Sequence, residues 1–192
     1  MPDPNPVALE FLKTRRSRPA KTLTLPVPGR DALRPLLTAA VRCPDHGKLE
    51  PWRLIVLERG ALERLTALVE TRGATLGRDD ADIDKARRQY ADAHLAVAVI
   101  EVQKPSPKIP AIEQTYSAGA VCLSLLNAAL AAGWGANWLS GWPSHDRDFV
   151  EAGLGLAPEE RVAGLIHIGT ETAAPPERPR PDVDAITTWV IE

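Results

Sequence analysis

Cysteine is scarce in this chain: Cys43 and Cys122 stand alone among 192 residues. They lie far apart and form neither a CxxC pair nor, with the four histidines, a zinc-ligand spacing, so neither a disulfide scaffold nor a metal site is expected. A charge excess is missing as well. With 23 Lys and Arg against 25 Asp and Glu, the formal net charge of -2 gives no overall positive field to draw in a polyphosphate backbone, and no nucleic-acid partner is expected. No stretch approaches the roughly 18 apolar residues of a membrane span. The start, Met1-Pro2-Asp3-Pro4-Asn5-Pro6, shows no basic segment followed by an apolar one, so the expectation is a cytoplasmic protein without a membrane partner.

Several catalytic signatures are also lacking. There is no GxxxxGK[ST] loop and no HExxH helix. Gly133-x-Gly135 begins like a dinucleotide fingerprint, but Trp138 occupies the third glycine position, and the same Trp138 stands where a nucleophile elbow around Ser140 needs glycine. Cys43 and His46 are close enough to be weighed as a nucleophile and its base, although such short spacings often arise by chance.

What is present fits one globular domain over 1–192: 44% hydrophobic and 25% charged residues, with only 5% aromatics, describe a core of Ala, Leu and Val. Asn5-Pro6 opens a helix over about 7–14. Leu33, Leu36, Leu37, Ala40 and Val41 form one helical stripe ending before Pro44. A strand over 52–58 gives way to a helix marked by Leu62, Leu65, Leu68 and Val69. Residues 77–84 read as mobile polar surface, with a short solvated helix over 84–88, then a buried strand over 94–102.

The region 111–132 is nearly free of charge and rich in Ala, Gly and Ser, which marks a helix buried on most sides at a subunit interface. A short strand follows Gly133-Trp134-Gly135, Ser144 is expected to cap a helix to about 152, and 161–168 reads as a strand. Pro175, Pro176, Pro179 and Pro181 then impose an extended arm over about 171–192, ending in a strand-like 185–191 that pairs within its own subunit or with a partner.

Three segments carry binding chemistry. Arg15-Arg16-Ser17 offers a guanidinium fork and a hydroxyl suited to a terminal phosphate, the alternative being a solvated pair favoured by the helix dipole. Arg42-x-x-Asp45-His46-Gly47-Lys48-x-x-Pro51-Trp52-Arg53 lies in a loop between helix and strand, where binding groups are often mounted, or else is a helix cap and turn anchored by Trp52. Trp138-Leu139-Ser140-Gly141-Trp142 sets two indoles and a hydroxyl about a glycine, for a flat ligand or for core filling.

In order and spacing these segments resemble one family. RRS after the first helix, R-x-P-D-H-x-x-x-x-P-W before the first strand, Ser-Ala-Gly within a helix, W-x-S-G, and a late Leu-Ile-His-Ile-Gly-Thr are together similar to the small, single-domain bacterial nitroreductases that bind FMN, over about 11–170. The resemblance implies an α+β fold with a central mixed sheet flanked by helices, and an intertwined homodimer whose C-terminal arms cross between subunits. It further implies an NAD(P)H-dependent FMN oxidoreductase that reduces nitroaromatic, quinone or similar electron-poor small molecules by ping-pong hydride transfer.

Carried over by position, the resemblance implies that Arg15, Arg16 and Ser17 hold the FMN phosphate and ribityl end, that Arg42 and His46 reach the flavin, at least one of them from the other subunit, and that Trp138, Leu139 and Ser140 form a wall. No side chain is assigned as catalytic, because flavin N5 carries the hydride, and residues 128–133 match a region linked to nicotinamide binding. One departure is Pro19, which replaces the basic residue that many relatives use to stabilise charge at flavin N1 and O2, with Arg18, Lys21 or His46 as possible substitutes. Other readings are a flavoenzyme of the same fold with a different acceptor, and a flavin-binding storage or sensing protein without turnover.

Overall fold

A computed structural model describes residues 3–191. Asn5 caps α1 (Pro6–Thr14), its side-chain oxygen accepting from Ala8 N–H at 3.0 Å. Nothing on α1 is buried, and Val7, Leu9 and Leu12 are more than half exposed. After a two-residue β1 (Leu23–Thr24) comes α2 (Arg30–Ala40), which buries Leu33, Leu36 and Ala40 of the expected stripe. The chain continues through β2 (Trp52–Glu58), α3 (Arg59–Thr75), α4 (Asp80–Ala91), β3 (Leu95–Glu101), α5 (Ala111–Ala131), β4 (Gly135–Leu139), α6 (Arg147–Leu154) and β5 (Arg161–Glu171).

Three local expectations are corrected. The short solvated helix is the full-length α4, capped by Asp79 and burying Ala86 and Tyr90. Its apolar face is carried by Ile83, Ala86 and Tyr90 alone, and Ile83 lies against Gly73 of α3 so closely that a Cβ there would sit 2.6 Å from Ile83 Cγ1. Ser144 is not the cap of α6: it ends a 3-10 turn, and Asp146 caps the helix by accepting from Phe149 N–H at 2.9 Å. Residues 185–191 form no strand within the chain and leave Ile186, Trp189, Val190 and Ile191 exposed.

The sheet runs β1-β5-β3-β2, with β4 on β5, and each of these pairings is antiparallel. The α+β architecture is the expected one, but the mixed sheet implied by the resemblance is not made within one chain. β3 is buried on both faces. Its Ala96, Ala98 and Ile100 meet α3, α4 and α6, while Leu95, Val97 and Val99 meet α2 and α5.

The alanines on the first face make room for the tilted pair of Tyr90 and Phe149, 5.7 Å between ring centroids, with Trp142 edge-on to Phe149. On β5 a register shift opposite Val99 and Ile100 makes Ala163 an extra residue, so Val162 and Leu165 share one face and Ile166 and Ile168 take the other. Among the described residues, no helix is long and apolar enough to cross a membrane, and no group of three or more His, Cys, Asp or Glu could hold a metal ion.

One ion pair ties the edge of the sheet to the start of β5. Arg53 donates twice to Glu160 at 2.7 Å, and Ala157 N–H adds a third bond at 3.0 Å. The Arg53 hydrogen bonds outweigh desolvation and hold the Glu160 carboxyl at about 2. Its stabilisation is therefore complete above the unfolded value of 4.5 and is lost as pH falls through about 2. Glu160→Gln is expected to lower the unfolding free energy at pH 7 by about 3 kcal/mol. In denaturant titrations that deficit should shrink by more than half at pH 3, and a deficit equal at both pH values would remove the pair as its cause.

Candidate functional site

The end of α1 leads into an extended segment fastened to the edge strand β4. Arg18 N–H donates to Ala136 O at 2.8 Å, and the Asn137 amide donates back to Arg18 O. This fastening turns Arg15, Arg16 and Ser17 into a cleft of about 470 Å³ that they line with Pro19, Asn137, Pro175, Arg178 and Arg180. Four arginines thus line one cleft. Burial first, then the charges of Arg180 and Arg16, lower the Arg15 pKa below its usual value.

Among the described residues the Arg15 guanidinium makes one long hydrogen bond, 3.4 Å, to Ser17 Oγ, and Arg15 Nε is buried without a partner. Arg16 is 3.4 Å and Arg180 3.1 Å from the exposed carboxylate of Glu177. Arg178 and Arg180 were missed by the sequence reading. The available signal was their spacing: in an extended arm, residues two apart project to the same side.

Leu139 follows Asn137 on the same face of β4, Trp138 between them points to the other face, and Ser140 lies just past the end of the strand, so only part of this predicted group is on the side of the arginine cleft. Trp138 lies over Gly164, where an added Cβ would come within 2.1 Å of its indole Nε1, and the indole stays 37% exposed. The second indole of the segment is a core residue: Trp142 packs on Phe149 and carries Arg78 4.6 Å above its ring. Ser140 Oγ is 3.0 Å from His145 Nε2, a neighbour the sequence reading did not single out.

Arg42 and His46 are not brought to this cleft within the chain. Their loop is bound to α5 instead: Trp52 Nε1 donates to Ser117 Oγ at 3.1 Å, which donates to Pro44 O at 2.8 Å, and His46 Nδ1 is 2.6 Å from Glu113 Oε2. Asp45 accepts from the N–H groups of Leu49 and Glu50. Those bonds hold a turn in which Gly47, Lys48 and Glu50 all have positive φ, a conformation that costs about 1–3 kcal/mol at a non-glycine residue. Cys43 and His46 form no dyad, since Cys43 Sγ faces Ser117 and His46 faces Glu113.

The chain is an α+β domain with an arginine-lined cleft beside an edge strand of its sheet, and comparison places it more narrowly. The model of the Nitroreductase family matches residues 12–170, and the chain belongs to that family, whose members are oxidoreductases. It is 35% identical over 163 residues, 85% of its length and 87% of the relative's, to the Escherichia coli K12 protein named "Putative NAD(P)H nitroreductase YdjA".

Its fold is that of a nitroreductase-like family protein from Bacillus cereus, with a TM-score of 0.79, 24% identity and complete coverage of both chains. A protein from Desulfovibrio desulfuricans described as "a putative nitroreductase in complex with fmn" has a TM-score of 0.74 at 20% identity, covering 99% of this chain and 100% of its own.

Gly164→Ala tests the placement of Trp138. The added methyl should displace the indole, change the near-UV circular dichroism and cost about 1–3 kcal/mol of stability. In a Trp138→Phe background the spectral change should disappear. A change that persists there would mean that Gly164 acts on another group.

Proposed function

We propose that the chain is an FMN-dependent NAD(P)H oxidoreductase acting in the cytoplasm on nitroaromatic, quinone or similar electron-poor small molecules. The observation that carries this reading is the arginine cleft. Arg15, whose Nε is buried and unpartnered among the described residues, feels the positive charges of Arg180 and Arg16, and these three, with Arg178 lining the same cleft, are stabilised together by a compact dianion such as a phosphate monoester. The residues fit FMN at that end: Arg15, Arg16 and Ser17, joined by Arg178 and Arg180, hold the phosphate, and Trp138, Leu139 and Ser140 wall the ring.

When bound, FMN supplies the redox chemistry, taking hydride from NAD(P)H and passing it to the acceptor in a ping-pong cycle. The chain's own part is to bind, orient and electrostatically tune. The exposed Ser140 and His145 pair is positioned to exchange protons with solvent beside that wall.

The same reading includes a homodimer. Ile112, Tyr116 and Leu123 make an exposed stripe on α5, beside exposed apolar residues on α1 and in the C-terminal arm, more than a monomer of this size comfortably leaves in water. Because His46 is bonded to Glu113 at the start of α5, helix pairing through that stripe carries the Arg42 and His46 loop towards the partner's flavin site. A cleft of about 1140 Å³ flanks β2, lined by Leu25, Val27, Leu33, Leu37 and Val56 among others. β2 ends the strand order, and the partner's residues 185–191 laid along it account for the mixed sheet.

Purified protein is expected to show a flavin spectrum that bleaches on anaerobic addition of NADPH or NADH and returns with a quinone or nitroarene. Bound flavin that neither nicotinamide reduces would instead favour the storage or sensing role. Arg15→Ala and Arg180→Ala should each weaken FMN binding about tenfold or more, since one charge-assisted contact contributes about 1.5–3 kcal/mol. Undiminished FMN affinity in both variants would overturn the phosphate assignment. Leu123→Lys is expected to shift the protein to monomer in light scattering and to release FMN, whereas a wild-type monomer that retains FMN would rule out a shared site.

A further inference from the structure

The arginine cleft carries an anion of its own at the rim. Arg16 ties the C-terminal arm to the segment after α1 by donating to Pro176 O at 2.8 Å, and the next residue, Glu177, turns its carboxylate back onto the same guanidinium. One oxygen, Glu177 Oε1, meets three donors: Arg178 N–H at 3.0 Å, Arg180 Nη2 at 3.1 Å and Arg16 Nη1 at 3.4 Å. Among the described residues Glu177 is the one carboxylate paired with Arg16 or Arg180. Arg16, Arg178 and Arg180 all line the cleft, whereas Glu177 stands outside its lining and reaches their donors from the rim.

Two guanidinium groups and a backbone N–H about one oxygen are the surroundings that an arginine site gives an oxygen of a phosphate monoester. Glu177 therefore occupies donors that a bound phosphate needs. Its hold is weak. The side chain is 68% exposed, and ion pairs so open to water contribute little, because each charge is solvated nearly as well alone. The Arg178 N–H first, then the charges of Arg180 and Arg16, hold its carboxyl below the usual range, so the negative charge is complete at neutral pH. A monoester brings nearly two charges and three oxygens to the same donors, and Glu177 has open water to turn into.

We infer that Glu177 is an internal competitor for the cofactor's phosphate: it partly neutralises Arg16 and Arg180 in the ligand-free chain, and a bound phosphate takes its place. The inference rests on the FMN reading above. Displacement lowers the affinity for every anion by the same factor, and its effect on occupancy depends on what else the ligand touches. FMN has its ring against the wall as well as its phosphate among the arginines, so it stays bound. Free phosphate and other small anions have the arginines alone, and the same factor keeps them out. Riboflavin, without a phosphate, leaves Glu177 in place. The arm stays attached through Pro176 O, so the exchange of one anion for the other needs a side-chain rotation and no movement of the arm.

Glu177→Gln keeps the size of the side chain and removes its charge. Titrated in buffer free of phosphate, this variant should bind FMN and inorganic phosphate about fivefold more tightly than the wild type, with its riboflavin affinity within twofold. In an Arg180→Gln background, which removes one of the two guanidinium groups that Glu177 holds, the gain should fall to about twofold. A gain of the same size there would mean that Glu177 acts by distant repulsion, and would overturn the displacement. If the wild type binds FMN but Glu177→Gln leaves the affinities for FMN and phosphate unchanged or weaker, the competitor role fails and the FMN reading stands. A wild type indifferent to both flavins overturns both.

Discussion

β5 is the strand on which everything else is registered, because β1, β3 and β4 all pair with it. That crowding depends on glycine at two points of its own sequence. Gly164 leaves space for the Trp138 indole, and Gly169 lets β1 approach until Thr24 O is 2.9 Å from where a Cβ would be. A side chain at either point would push β4 or β1 away, and with β4 would go the Arg18 segment hydrogen-bonded to it. The site is thus set by close backbone packing several residues away from its charged groups.

Against that rigid frame, the site itself is electrostatically unbalanced. Most arginines elsewhere have a carboxylate: Arg53 with Glu160, Arg72 with Asp146, and Arg161 with the nearly buried Glu101. At the cleft beside β4, Arg16 and Arg180 share the exposed carboxylate of Glu177, while Arg15 has a buried Nε without a partner among the described residues. A polar atom buried in that way costs stability unless something else completes it.

Much was legible in the sequence where local rules governed. The Asn5-Pro6 cap, the α2 stripe, the nearly uncharged α5 and the dense β-branched run of β3 each follow from periodicity or capping, and each appears where those rules put it. The failures have a common cause. α4 reads as polar surface because its buried face consists of Ile83, a small Ala86 and Tyr90, and its stability comes from Gly73 admitting Ile83. Ser144 has the right side chain for a cap, but the 3-10 turn consumes it and passes the role to Asp146.

The sequence by itself determined the family and the α+β class, since these depend on residue types at short, fixed spacings. Only the tertiary structure decided which distant residues line the cleft with Arg15, Arg16 and Ser17: Arg178 and Arg180 return from the far end of the chain, and Asn137 comes from β4. It also divided the two indoles of one pentapeptide, sending Trp142 into the core and leaving Trp138 at the surface. The physical reason is that a site is a meeting of side chains across the register of a sheet, and register is fixed by long-range pairing that no local spacing encodes.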